Sequence, residues 1–215
     1  MKTLTQPGMI FDLDGTLLDS MYVWNEVDEI FLRRRGYNVP ADYAQSIAHL
    51  SFSDAARYTI ARFGLHETVD TIMFEWHALA VRAYRDDVPL KPGACAFLER
   101  QRQKGVRLAA ATSSEEALFA PCLSRLGIAD WFENVTTVRE VTRGKGFPDI
   151  YELAARRLGL PPADCAVFED ILKGVEGAKL GGFYTVGVFD PASEADRPAI
   201  EAAADLYITS WDDID

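Results

Sequence analysis

Met9-Ile10-Phe11-Asp12-Leu13-Asp14-Gly15-Thr16-Leu17-Leu18-Asp19-Ser20 is the stretch whose reading decides the fold. Met9, Ile10, Phe11 and Leu13 are apolar and suit a short buried strand. The run ends in two carboxylates, Asp12 and Asp14, followed by Gly15. An ionised carboxylate inside a core strand needs a partner. Side chains at i and i+2 of a strand leave on the same side. Two carboxylates so placed repel each other unless a proton or a cation lies between them. The spacing points to a strand whose carboxyl end opens into a site for a divalent metal. Hard cations such as Mg2+ take oxygen ligands of this kind, completed by water and phosphate. The competing reading of the same residues is an Asp-Gly turn, with Asp19 capping the next helix.

Outward from this stretch the periodicity changes. Residues 20–87 contain no convincing strand. Met21, Trp24, Val27, Ile30 and Phe31 recur at helical spacing, and Gly36 stops that helix. Pro40-Ala41-Asp42 starts a second helical stretch. Ser51 to Asp54 reads as the cap of a third, running through Tyr58 to Phe63 with Gly64 as its stop. Residues 67–85 predict a fourth. Trp24 is expected in the core of this helical segment or at a pocket rim, with core preferred. Arg33, Arg34 and Arg35 are expected on a solvated face. Pro89-Leu90-Lys91-Pro92-Gly93 is a breaker-rich junction.

Beyond the junction, helix and strand alternate. Strands are expected at 106–111, 134–138, 165–168 and 184–189, with a sixth at 206–209 as the edge. Helices are expected at 94–104, from Glu115-Glu116 to Leu126-Gly127, from Asp149 to Leu158 and over 174–180. This alternation predicts an α/β fold: a Rossmann-like, mostly parallel sheet with helices on both faces. The all-helical segment is inserted after the first strand. The core therefore spans 1–19 and 89–215, interrupted by a helical domain at 20–88. In such sheets ligands bind outside the carboxyl ends of the strands.

The bulk properties narrow the function. The chain has 215 residues, 48% of them hydrophobic, enough for a packed core. A net charge of −11, from 22 basic and 33 acidic residues, argues against non-specific nucleic-acid binding. It does not exclude a small anionic substrate, because a metal and a local cation reverse the field inside a site. Cys95, Cys122 and Cys165 show no metal or redox spacing and read as reduced, mostly buried thiols. No apolar run suits a signal peptide or a membrane span. The expectation is a soluble cytoplasmic monomer without nucleic-acid or membrane partners.

Four polar elements can converge on one crevice: Asp12 with Asp14 after the first strand, Thr112 after the second, Lys145 before a helix, and Glu169 with Asp170 after the fourth. Carboxylates, a cation and a hydroxyl at one rim would make a metal-assisted phosphoryl-transfer site. Taken singly, each has a plainer role. Thr112 could cap a helix. Lys145 could be a solvated loop residue. Glu169 and Asp170 could complement a helix dipole.

In order and type the four elements resemble the motifs of the haloacid dehalogenase-like hydrolase superfamily, whose phosphatases carry Asp-x-Asp-Gly-Thr. Lys173-Gly174-Val175-Glu176-Gly177-Ala178-Lys179-Leu180-Gly181-Gly182 is similar to the tail of the fourth motif in the beta-phosphoglucomutase and phosphoglycolate phosphatase branches. The resemblance covers residues 8–20 and 91–210. It implies that Asp12 is the nucleophile, forming an aspartyl-phosphate. It implies that Asp14 is the general acid and base. Mg2+ would be held by Asp12, the Asp14 carbonyl and Asp170, with Glu169 supporting or sharing the shell. Thr112 would bind the phosphoryl oxygens with the amides of Ser113 and Ser114, and Lys145 would neutralise developing charge.

The inserted segment resembles the family's helical cap, which closes over the non-reacting part of the substrate. His49 and Trp24 are its candidate substrate contacts. Two departures stand out. Gly146-Phe147-Pro148-Asp149 follows Lys145 where relatives have Pro-x-Pro-Asp, and Ile171 stands where Ser is common. The resemblance implies a Mg2+-dependent phosphatase of a small phosphorylated metabolite, with sugar phosphates a candidate substrate and a phosphomutase as the alternative. A phospho-accepting receiver domain carries its acceptor Asp after the third strand and has no helical insert, so chain order disfavours it. Dehalogenase relatives lack the second acid at the position of Asp14.

Overall fold

The computed structural model describes residues 2–47 and 50–215. It contains two compact units: Met1–Met21 with Val88–Asp215, and Tyr22–Asp87.

The larger unit is built on one sheet. Its strands are β1 (Gly8–Phe11), β2 (Arg107–Thr112), β3 (Asn134–Thr137), β4 (Cys165–Glu169), β5 (Tyr184–Val188) and β6 (Leu206–Ile208). Their spatial order is β3-β2-β1-β4-β5-β6. Every pairing is parallel, so the expected mostly parallel sheet is wholly parallel among the described residues. Parallel strands buried on both faces read as unbroken apolar runs, and β1 is buried throughout. Ile10 and Val167 pack on one face with Ala109, Ala154, Ala178 and Phe183. Their neighbours Phe11 and Phe168 face the other way and stack at 4.5 Å, with Phe97 and Trp211 against them. The chain order places β1 at the centre, where strand order reverses. That is the switch point at which open α/β sheets bind ligands.

Among the described residues, the helices of the smaller unit are α1 (Val23–Arg33), α2 (Tyr43–Ile47), α3 (Phe52–Phe63) and α4 (Val69–Asp86). Ser51 and Thr68 cap α3 and α4 by accepting from Asp54 N and Thr71 N at 3.2 Å each. Gly64 ends α3 in the left-handed region that its missing Cβ permits. Two sequence expectations need correction here. Trp24 is not core: it is 41% exposed, edge-on to Phe52 with ring centroids 5.7 Å apart. Its place in the apolar period puts it at the margin of the stripe rather than its middle. Nor is Arg35 solvated. It is bound by Glu67 at 2.7 Å and Glu75 at 2.6 Å, with its guanidinium 3.6 Å from the centre of the Phe31 ring. Ala48 and His49 lie outside the described residues, and so does the expectation that His49 contacts substrate.

The remaining helices belong to the larger unit: α5 (Ala94–Gln103), α6 (Glu116–Arg125), α7 (Asp149–Arg157), α8 (Leu172–Leu180) and α9 (Arg197–Ala203). Only α9 was not expected. Seven residues with Pro198 at the second position make too short a stretch for a helical period to stand out. Helix α7 lies against β1, β2 and β3, and α8 against β4 and β5. Among the described residues no helix is long and apolar enough to cross a membrane. All three cysteines are free, with Cys122 and Cys165 buried and Cys95 exposed.

Candidate active site

Asp12 follows the last residue of β1 and is buried. Its amide donates to Phe168 O at 3.0 Å, which anchors it beside the end of β4. Register does the rest. Phe11 lies opposite both Ala110 and Phe168, so Asp12, Thr112 and Glu169 leave three adjacent strands at nearly one level. Asp170 follows Glu169. Asp14 is not on the strand: the chain turns at Leu13, whose carbonyl accepts from the amides of Thr16, Leu17 and Leu18. Gly15 has φ +81°, and a Cβ there would lie 2.9 Å from Asp170 Cγ. The turn thus needs glycine twice, for its dihedral and for Asp170.

One lysine ties the acids together. Lys145 is buried; its ammonium donates to Asp12 Oδ1 in a very short contact and to Glu169 Oε1 at 2.6 Å. Tyr151 of α7 donates to the same Glu169 oxygen at 2.7 Å. Asp170 accepts from Thr16 Oγ1 at 3.1 Å and Ser193 Oγ at 3.4 Å. Asp14 accepts from Ser20 Oγ at 2.7 Å. Thr112 is fully buried and its Oγ1 accepts the Ser114 amide at 2.9 Å. In this arrangement the Ser114 amide is committed to Thr112. Helix α6 begins later, with Glu115 as its N-terminal cap, so Thr112 does not cap it.

Two further glycines make room for this cluster. A Cβ on Gly174 would lie 2.9 Å from Glu169 Cγ. One on Gly177 would lie 2.9 Å from Phe147 N and nearer still to the Lys145 carbonyl oxygen. Gly144 and Gly146, on either side of Lys145, have open space at the Cβ position and need no glycine for steric reasons.

The electrostatics show an excess of acid. Burial pushes Asp12 up, with Asp14 adding to it and Lys145 opposing. Burial also lifts Glu169 to about 8, against the pull of Lys145 and with repulsion from Asp12 and Asp170. Asp170 rises to about 7 through burial and the nearby Asp12. Burial alone would lower Lys145, but Asp12 and Glu169 outweigh it and hold the ammonium charged. Three buried carboxyls beside one ammonium cannot all ionise freely near neutral pH.

These observations fit a divalent cation. One carboxylate oxygen from each of Asp12, Glu169 and Asp170 lies within 4.8 Å of the others. Glu169 Oε2 is buried with no hydrogen-bond partner. An all-oxygen donor set with surplus negative charge suits Mg2+ better than a soft metal.

The structure thus brings together Asp12, Lys145, Glu169 and Asp170 directly, with Asp14 and Thr112 at the same strand ends. Trp24 belongs to the other unit. Thr16, Ser20, Tyr151 and Ser193 were not assigned roles from sequence. Thr16 and Ser20 stood inside the opening stretch, but nothing local says that their hydroxyls turn onto Asp170 and Asp14. Tyr151 occupies an apolar position of α7 and reads as core.

A buried acidic trio, a lysine and a threonine at the carboxyl edge of a parallel sheet make up a site equipped for phosphoryl transfer. The family model described as haloacid dehalogenase-like hydrolase matches residues 7–182, and the chain belongs to this family of hydrolases. It is similar to the validoxylamine A 7'-phosphate phosphatase of Streptomyces hygroscopicus subsp. limoneus, 30% identical over 179 residues, covering 83% of this chain and 84% of that one. Hexitol phosphatase A of Escherichia coli (strain K12) is 30% identical over 207 residues, covering 96% and 92%. Among solved structures, a Thermotoga maritima protein provisionally named a beta-phosphoglucomutase superposes with a TM-score of 0.85. It is 25% identical and the match covers 97% of this chain and 94% of that one.

Proposed function

We propose that this chain is a Mg2+-dependent phosphatase of small phosphorylated metabolites, with sugar and polyol phosphates the foremost class, working through an aspartyl-phosphate on Asp12. The observation that carries the reading is the contact of Lys145 with both Asp12 and Glu169 inside a buried acidic cluster. The phosphatase relatives, one of them a hexitol phosphatase, support the substrate class.

Asp12, Glu169 and Asp170 would hold the cation, with the Asp14 carbonyl as a further oxygen. When bound, Mg2+ supplies positive charge that offsets the carboxylates and the phosphoryl oxygens. Asp12 attacks phosphorus as a carboxylate. The P–O bond to the substrate breaks, and Asp14 gives its proton to the departing alkoxide. Asp14 then takes a proton from water, which attacks the aspartyl-phosphate, releases inorganic phosphate and restores Asp12. Lys145 and Thr112 hold the phosphoryl oxygens in line and stabilise their charge. The helical unit, with Trp24 and His49, is assigned the recognition of the rest of the substrate.

Phosphate release over a panel of phosphorylated metabolites tests this, with Asp12→Asn alongside. Loss on the order of 10^4-fold in kcat is expected. Activity that survives in Asp12→Asn, or that ignores Mg2+ and chelator, rejects the mechanism. The similarity to the Thermotoga maritima protein keeps a phosphomutase as the second reading. Conversion of a hexose 1-phosphate to its 6-phosphate without net phosphate release would favour it.

A further inference from the structure

Tyr151 is the third residue of α7 and is completely buried, its ring edge-on to Phe183 with centroids 6.2 Å apart. A buried phenol needs a hydrogen-bond partner. Its hydroxyl donates to Glu169 Oε1 at 2.7 Å, the oxygen that also takes the Lys145 ammonium at 2.6 Å. Both donors converge on one atom, and Oε2 has no hydrogen-bond partner. On the other flank Gly174 presses close, since a Cβ there would lie 2.9 Å from Glu169 Cγ. The carboxylate is thus held from two sides in one rotamer.

We propose that Tyr151 is a positioning residue acting through Glu169. Its hydroxyl fixes the carboxylate so that Oε1 stays with Lys145 while the group keeps its place beside Asp12 and Asp170. The proposal rests on the reading of this cluster as a metal-assisted phosphoryl-transfer site. The 2.7 Å contact runs from the phenol to a carboxylate oxygen that also takes the Lys145 ammonium, so the tyrosine serves as a donor. Without it, Glu169 can rotate about its terminal bond, the cation loses a fixed ligand, and Lys145 loses a fixed counter-charge. A tyrosine that only filled the core would touch stability and neither of these.

The test is Tyr151→Phe, which removes one oxygen and keeps the ring. Mg2+ affinity of the full chain, measured by calorimetry in phosphate-free buffer, is expected to fall about tenfold or more, with a similar fall in kcat. KM should stay within about twofold, because the lost contact supports the reacting centre. In a Glu169→Gln background the same change should move kcat by no more than about twofold, since the route through the carboxylate is already broken. Phe183→Leu is the packing control: it should lower Tm and leave Mg2+ affinity unchanged. Wild-type Mg2+ affinity and kcat in Tyr151→Phe overturn the proposal. So does an undiminished Tyr151→Phe penalty in the Glu169→Gln background. Failure of the wild-type chain to bind Mg2+ overturns both this and the metal reading. Activity in Asp12→Asn overturns the phosphatase mechanism alone, and Tyr151→Phe still decides the proposal through Mg2+ affinity.

Discussion

Gly177→Ala should damage catalysis from outside the site. Gly177 is a buried residue of α8, and its Cα faces the loop that carries Lys145. A methyl group there would sit 2.9 Å from Phe147 N and 3.0 Å from Gly146 C, and closer still to the Lys145 carbonyl oxygen. Ordinary contact begins at 3.4 Å, so Phe147 must retreat by about 0.5 Å and Lys145 by more. All three neighbours are backbone, so no side chain can swing aside. The helix is equally constrained, because it lies against β4 and β5. Overpacking of this kind costs about 1–3 kcal/mol. For a chain of this size a loss of about 2 kcal/mol lowers Tm by about 4–8 °C. The kinetic effect is expected to be larger in proportion. Displacing Lys145 on the order of 1 Å from Asp12 should lower kcat by about 10^2-fold with the chain still folded. Gly146→Ala is the control: its Cβ meets open space, and it should be neutral or stabilise by about 0.4–1 kcal/mol. The assay pairs phosphate release under saturating substrate with thermal unfolding of both variants. Normal kcat in Gly177→Ala, with or without a lowered Tm, would refute the argument that this close approach sets the position of Lys145.

Mg2+ should stabilise the folded chain: at about 100 times its Kd the gain is about 2.7 kcal/mol. That corresponds to a rise in Tm of about 5–11 °C. Asp170→Asn should remove most of the rise, and a rise of equal size with NaCl at matched ionic strength would count against a specific site. Asp28 in α1 is buried, and burial lifts its carboxyl to about 7. Its folded value lies above its unfolded one, so the native state holds the extra proton between about pH 4 and 7. Its contribution to stability is therefore lost as pH rises through that window. Asp28→Asn should be more stable than wild type at pH 8 by roughly 1–3 kcal/mol, with the difference shrinking toward pH 4. Urea unfolding at both pH values checks this, and a gap that does not change with pH would contradict it.

Strand ends were legible from sequence because an apolar run that stops at a carboxylate states both its burial and its exit. Asp12, Glu169 and Asp170 close such runs, Thr112 closes another with a hydroxyl, and the sheet register brings their three strands side by side. Charges on helices were harder. The pattern puts Arg35 on a solvated face and says nothing of Asp28, yet packing wraps the first between two glutamates and an aromatic ring and buries the second. Trp24 failed in the opposite direction, since helical period counts an apolar residue without saying how far the neighbouring helix reaches. Tyr151 shows the limit most plainly: it lies in an expected helix, but nothing in the period says that its hydroxyl points at Glu169.

The contact hardest to foresee joins Lys145 to Asp12 across 133 positions of sequence. No local property of Gly144-Lys145-Gly146 predicts it, because those glycines stand in open space and impose no path on the loop. The path comes from α8. Gly174, Gly177 and Gly181 are spaced at i, i+3 and i+7 and share one face of the helix. At each of them a Cβ would collide: with Glu169, with the main chain beside Lys145, and with Pro148 at 2.7 Å and Phe183 at 2.8 Å. A helix face without side chains leaves a slot about one methyl group deep. The acid at the end of β4 and the loop before α7 both press into it. In sequence those glycines look like punctuation at the end of a motif. In the folded chain they set the distance between the lysine and the carboxylate it serves, so the geometry of the site depends on three residues that contribute no functional group to it.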